Sequence, residues 1–90
     1  MPNTKNYSTR LRVLDQCLRS GHAYSGKELT EFINRELELR GEPTITSRTT
    51  LMDDLLNIEN EYHTNIIRKK HGRQTTYQYE DPNFSIFSTE

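Results

Sequence analysis

Tryptophan is missing from this chain of 90 residues, and cysteine occurs once, as Cys17. A single thiol excludes an intramolecular disulfide framework and fits a reducing compartment. Apolar residues make up only 31% of the sequence, and no apolar run approaches the ~18 residues of a membrane span. No secretory leader pattern precedes the first helical stretch, so the expected location is the cytoplasm. Histidine is limited to His22, His63 and His71, scattered without metal-ligand spacing, and there is no glycine-rich phosphate loop. Chemistry on a nucleophile is poorly served as well. Cys17 sits on or beside an apolar helical stripe with no histidine nearby in sequence. The carboxylates Asp53, Asp54, Glu59 and Glu61 are helix-surface groups that do not face each other as an acid/base pair would. An enzyme is not expected, and neither a metal nor a cofactor is called for. Ninety residues suit one domain with a modest core.

What is present is periodic and punctuated. Residues 1–7 read as a flexible start, and Ser8 or Thr9 is the expected cap of a first helix running to about Ser20. Its stripe is Leu11, Leu14 and Leu18, with Tyr7 one turn earlier, Cys17 beside it, and Arg10, Arg12 and Arg19 largely off it. Gly21 ends it, and His22-Ala23-Tyr24 is short enough only for a turn or a single β-bridge. Ser25-Gly26-Lys27-Glu28 is a capping box, opening a second helix with Leu29, Phe32, Ile33 and Leu37 inward. That helix ends near Arg40-Gly41, and Pro43 prevents its restart.

After the connection 41–46, Ser47 starts a third helix to about Asn60, with Leu51, Leu55 and Ile58 on one face at i, i+4 and i+7. Beyond His63 the period changes to two. Residues 65–69 and 75–80 read as strands around a loop Lys70–Gln74, with Tyr77 and Tyr79 on one face, and Tyr77 opposite Ile66 or Ile67. Asp81-Pro82-Asn83 breaks the second strand, and Phe84, Ile86 and Phe87 are too apolar for a solvated tail. This order predicts a mainly α domain with a small β-hairpin, a three-helix winged helix-turn-helix over residues 8–81.

The net charge of −1 looks unsuited to nucleic acid, but charge is segregated along the chain. Residues 64–79 carry Arg68, Lys69, Lys70 and Arg73 with no acid, whereas residues 43–63 carry one cation and four acids. Screening over ~8 Å makes the local field matter more than the total. The third helix presents Ser47, Arg48, Thr49, Thr50, Met52 and Asp53 away from its apolar stripe, the layout of a helix that reads the major groove. Arginine can pair with guanine, threonine and methionine can touch a thymine methyl, and Asp53 could accept from cytosine. Ser47 is also the natural N-cap. Arg68, Lys69, Lys70, His71, Arg73 and Gln74 form a basic hairpin, more donors than edge protection alone requires, and suit phosphate or the adjacent minor groove. Ser25 and Lys27 at the start of the second helix are further backbone candidates, with Arg10 and Arg12 weaker ones.

Residues about 10–87 resemble the N-terminal winged-helix domain of WYL-domain transcriptional regulators. The resemblance rests on Arg10 through Leu18, on Ser47 through Ile58, and above all on Thr76 through Ile86, which is similar to the junction leading toward the ligand-sensing domain. Where the family's recognition helix usually has arginine, this chain has Thr49, and Asp53 replaces a residue often polar or basic. Arg48 is therefore its only cation.

The resemblance implies a bacterial-type regulator that binds double-stranded DNA in the nucleoid. It also implies dimerisation largely through a C-terminal part not in this sequence, with residues 82–90 beginning the linker. The competing expectation is a protein-interaction module. It would use the acidic faces Glu28, Glu31, Glu36, Glu38 and Glu59, Glu61, with Leu56 as anchor and Phe84, Ile86 and Phe87 as a docking tail.

Overall fold

Among the described residues three helices and three strands follow in the order α1 (Tyr7–Leu18), β1 (Tyr24–Ser25), α2 (Gly26–Leu39), α3 (Arg48–Tyr62), β2 (Ile66–His71) and β3 (Gln74–Tyr79). The computed structural model describes residues 6–81 and 83–86. The apolar stripes read from the sequence form the core: Leu14, Leu18, Leu29, Ile33, Leu37, Leu51, Leu55 and Ile58 are all fully buried. Burying each such side chain contributes ~1.5–3 kcal/mol before the entropy of ordering it is charged. Phe32, expected inward, is only half-buried at the rim.

The helix ends follow local chemistry. Asn6, not Ser8 or Thr9, occupies the N-cap position of α1, and its side chain bonds the Pro43 carbonyl and Arg10 rather than capping the helix. Asn6 and Tyr7 therefore belong to the fold, while residues 1–5 lie outside the described residues. At the other end Ser20 Oγ donates to the Cys17 carbonyl at 2.8 Å, and the helix stops at Leu18 rather than Ser20.

The capping box of α2 is complete: Glu28 N donates to Ser25 Oγ at 3.2 Å and Ser25 N donates to Glu28 Oε1 at 2.9 Å. Its C-terminus closes with Glu42 N donating to the Leu37 carbonyl at 2.9 Å and Gly41 N to that of Glu38 at 3.1 Å. This reversal needs the left-handed φ of 68° at Gly41. Ser47 caps α3 by accepting from Thr49 N at 3.1 Å, and the helix continues past Asn60 to Tyr62.

The sheet is larger than the expected hairpin. Tyr24 and Ser25 pair with Tyr77 and Thr76, so β1 is a strand of two residues and the antiparallel order is β1-β3-β2. The loop between β2 and β3 shrinks to Gly72-Arg73, with Gly72 at φ 66° supplying the positive dihedral that a tight reversal demands. Shortening the turn shifts the register: Tyr77 faces Arg68, neither Ile66 nor Ile67, and Ile66 faces Tyr79.

The C-terminal run folds back onto α1. Buried Asp15 accepts from Tyr79 OH at 2.7 Å, Ser85 Oγ at 2.8 Å and Ile86 N at 2.9 Å, and Phe84 meets the Tyr79 ring edge-on at 4.8 Å. Residues 84–86 thus pack against α1 and β3, while Phe87 lies outside the described residues. Among the described residues no helix is long and apolar enough to cross a membrane.

Candidate nucleic-acid interface

Three elements bring cations to one place. Lys27 stands in the first turn of α2, Arg48 at the first position of α3, and Arg73 at the tip of the hairpin. All three line a groove of about 260 Å³. Gln74 and Thr75 from β3 complete one wall, and the buried Tyr77 and half-buried Met52 form the floor, with Tyr77 OH directed at the Met52 sulfur, 3.9 Å away. Gly26 starts α2 beside this floor, where a Cβ would make only ordinary van der Waals contact with Leu51 and Tyr77.

No carboxylate among the described residues lines the groove. Among the described residues Lys27, Arg48 and Arg73 find no side-chain hydrogen bond or ion pair. By contrast Arg10, Arg40 and Arg68 are each committed to an acid. The groove is therefore a concentration of uncompensated positive charge on a chain of net charge −1.

The remaining residues of the α3 leading end divide around this groove. Arg48 and Met52, one turn apart, face the hairpin side. Ser47 and half-buried Thr50 line a second depression with Thr44 and Thr46 of the α2–α3 connection, and Thr49 and Asp53 are exposed. Ser25 is buried and its hydroxyl is occupied by the capping box, so it shapes the α2 start rather than offering a free donor.

The basic hairpin does not act as one cluster. Lys69, Lys70, His71, Arg73 and Gln74 are exposed, but Arg68 donates to both carboxylate oxygens of Glu59, at 3.1 and 3.0 Å. Strand alternation explains why. Arg68 shares a side of β2 with the buried Ile66, and Glu59 on α3 meets it there while also accepting from Ile66 N at 2.9 Å. The Arg68 guanidinium, hydrogen-bonded to it, holds the Glu59 carboxyl below the ordinary 4.5 against the opposing effect of burial. A run without acids in sequence has an acid beside it in space.

Arg10 is also displaced from its expected role. It is buried, donating to Asp54 at 2.7 and 3.3 Å and to Asn6, and neither it nor Asp54 belongs to the exposed face. Asp54 is thus not the helix-surface carboxylate expected from the sequence but a buried ion-pair partner. That these two arginines are paired was invisible in the sequence, because their partners lie 44 and 9 positions away.

Cys17 is buried and its thiol is pushed up to about 11 by desolvation, which keeps it protonated at neutral pH. No group of His, Cys, Asp or Glu among the described residues is arranged to hold a metal ion. In comparisons with protein families, curated proteins and solved structures, nothing matches this chain.

Proposed function

We propose that the chain is a winged helix-turn-helix domain that binds double-stranded DNA. In this reading α3 lies in the major groove and the β2–β3 hairpin acts as the wing on the backbone or in the adjacent minor groove. The observation that carries the reading is the groove in which Lys27, Arg48 and Arg73 converge without a carboxylate or a partner among the described residues. Phosphate is the ligand class that convergent, unpaired cations on a polar surface serve. Met52, Thr49 and Asp53 would supply the contacts that distinguish bases, and Lys69, Lys70 and His71 further attraction to the backbone. A role in transcription regulation as part of a WYL-type regulator, working as a dimer in the bacterial cytoplasm, belongs to the same proposal and rests on the resemblance in residues 10–18, 47–58 and 76–86.

Fluorescence anisotropy on random and selected duplexes tests it. Affinity should fall with salt at a logarithmic slope of about −0.9 per phosphate contacted. Lys27→Ala and Arg73→Ala should weaken all duplexes alike and each flatten that slope by about 1, whereas Arg48→Ala and Thr49→Ala should alter sequence preference. Arg68→Ala should change the salt slope little, since that side chain is engaged by Glu59. No binding to any duplex at low salt would sink the proposal. A second reading, contact with another protein, is favoured by one observation: Leu56 on α3 and Leu39 at the end of α2 are exposed, at 50% and 78%.

A further inference from the structure

The apolar stripe decides which face of α3 turns inward, but not the fine angle of its outer face. Leu51, Leu55 and Ile58 hold it by non-directional apolar contact, and such packing tolerates shifts that directional bonds do not. Polar tethers surround its leading half instead. Arg10 of α1 grips Asp54 through two nitrogens at 2.7 and 3.3 Å, and its third nitrogen bonds Asn6, whose amide donates to the Pro43 carbonyl at 3.2 Å. On the other flank Asn34 of α2 both donates to the Ile45 carbonyl at 2.9 Å and accepts from Ile45 N at 2.8 Å, fixing the connection that delivers Ser47. Asp54 directly follows exposed Asp53 and lies two residues from Met52. Anchoring its carboxylate therefore sets the angle at which Arg48, Thr49, Met52 and Asp53 face outward.

We infer that Arg10 and Asp54 are positioning residues whose buried, bidentate pair sets the rotation of α3, so that the pair governs which sequence is chosen rather than how stable the domain is. Replacing a buried ion pair by apolar groups is commonly neutral or favourable to stability, whereas removing one partner leaves an uncompensated charge. The two roles are therefore separable. The inference rests on the DNA-binding reading for its effect on sequence choice, but not for its effect on the helix.

The test compares wild type with the double variant Arg10→Met/Asp54→Leu and with Arg10→Lys, which keeps the charge but loses the fork. Residual dipolar couplings of backbone amides in the free protein report the orientation of α3 against α1. Anisotropy on a selected and a scrambled duplex reports discrimination. The expected result for the double variant is a thermal midpoint near that of wild type, altered or averaged α3 couplings, and discrimination reduced about fivefold or more, the size of losing one base contact. The phosphate-driven salt slope should be unchanged. Wild-type couplings and discrimination in a folded double variant would overturn the inference. Should the double variant not fold, Arg10→Lys decides: a retained midpoint with reduced discrimination supports the positioning role, and undiminished discrimination overturns it. If wild type binds no duplex, the DNA-binding reading fails, and the couplings by themselves still decide whether the pair orients α3.

Discussion

Asp15 shows how one buried carboxylate joins distant parts of the chain. It lies on α1 between the apolar positions Leu14 and Leu18, yet it gathers Tyr79 from β3 and Ser85 and Ile86 from the C-terminal run. Burial, the hydrogen bond to Asp15 and the charge of that carboxylate all raise the Tyr79 phenol far above its ordinary 10.0. A group whose folded value is raised contributes stability in full below its unfolded value and loses it as pH rises beyond. Cys17 behaves alike between its ordinary 9.0 and about 11. The urea midpoint should therefore be flat through neutral pH and fall as pH climbs above about 9. The fall should be smaller in Tyr79→Phe, which should itself cost ~1–3 kcal/mol at pH 7 by leaving Asp15 short of a donor. A midpoint insensitive to alkali would contradict this account. Cys17 should also react with iodoacetamide at pH 7.5 much more slowly in the folded protein than in urea, a contrast readable by mass spectrometry.

At the scale of elements, the joint between α3 and the hairpin depends on Glu59. The Arg68–Glu59 pair is partly solvated and contributes only ~0–1 kcal/mol, but Glu59 also satisfies the N–H that begins β2. Glu59→Ala should accelerate hydrogen exchange at Ile66 and its strand neighbours more than in α1 or α2. Because the Glu59 carboxyl is held below 4.5, its contribution is present above that value and is lost as pH falls through the depressed one. Acid should thus loosen the wild-type hairpin below about pH 4.5 and affect Glu59→Gln less; equal acid sensitivity would rule Glu59 out as the joint. Leu55, wholly buried on the inner face of α3, sets a contrasting scale: Leu55→Ala should lower stability by ~2–5 kcal/mol in denaturant titration.

For the molecule as a whole, charge is sorted by pairing as much as by sequence. The four cations of the 64–79 segment do not all reach solvent unpaired, since Arg68 is neutralised, while Lys27, remote in sequence, joins Arg48 and Arg73. Solution binding to a negatively charged polymer should accordingly depend more on Lys27 and Arg73 than on Arg68, as heparin retention of the three alanine variants would show. Equal losses for all three would mean that the Glu59 pairing does not hold in solution.

Much of the fold was legible because its signals are local. Three apolar stripes at helical spacing, the Ser25–Glu28 box, the Gly41-Pro43 stop and the change to two-residue alternation each depend on neighbours a few positions apart. Those signals alone determined three helices, a hairpin and most of the helical core, though not Val13 or Ile45. Tertiary structure alone decided the rest: the third strand, the register that sets Tyr77 against Arg68, and the docking of residues 84–86 on Asp15. It alone also decided which cations are free. A charge keeps its field only where no opposite charge meets it, and whether Arg10 finds Asp54 or Arg68 finds Glu59 depends on contacts made only when the helices pack.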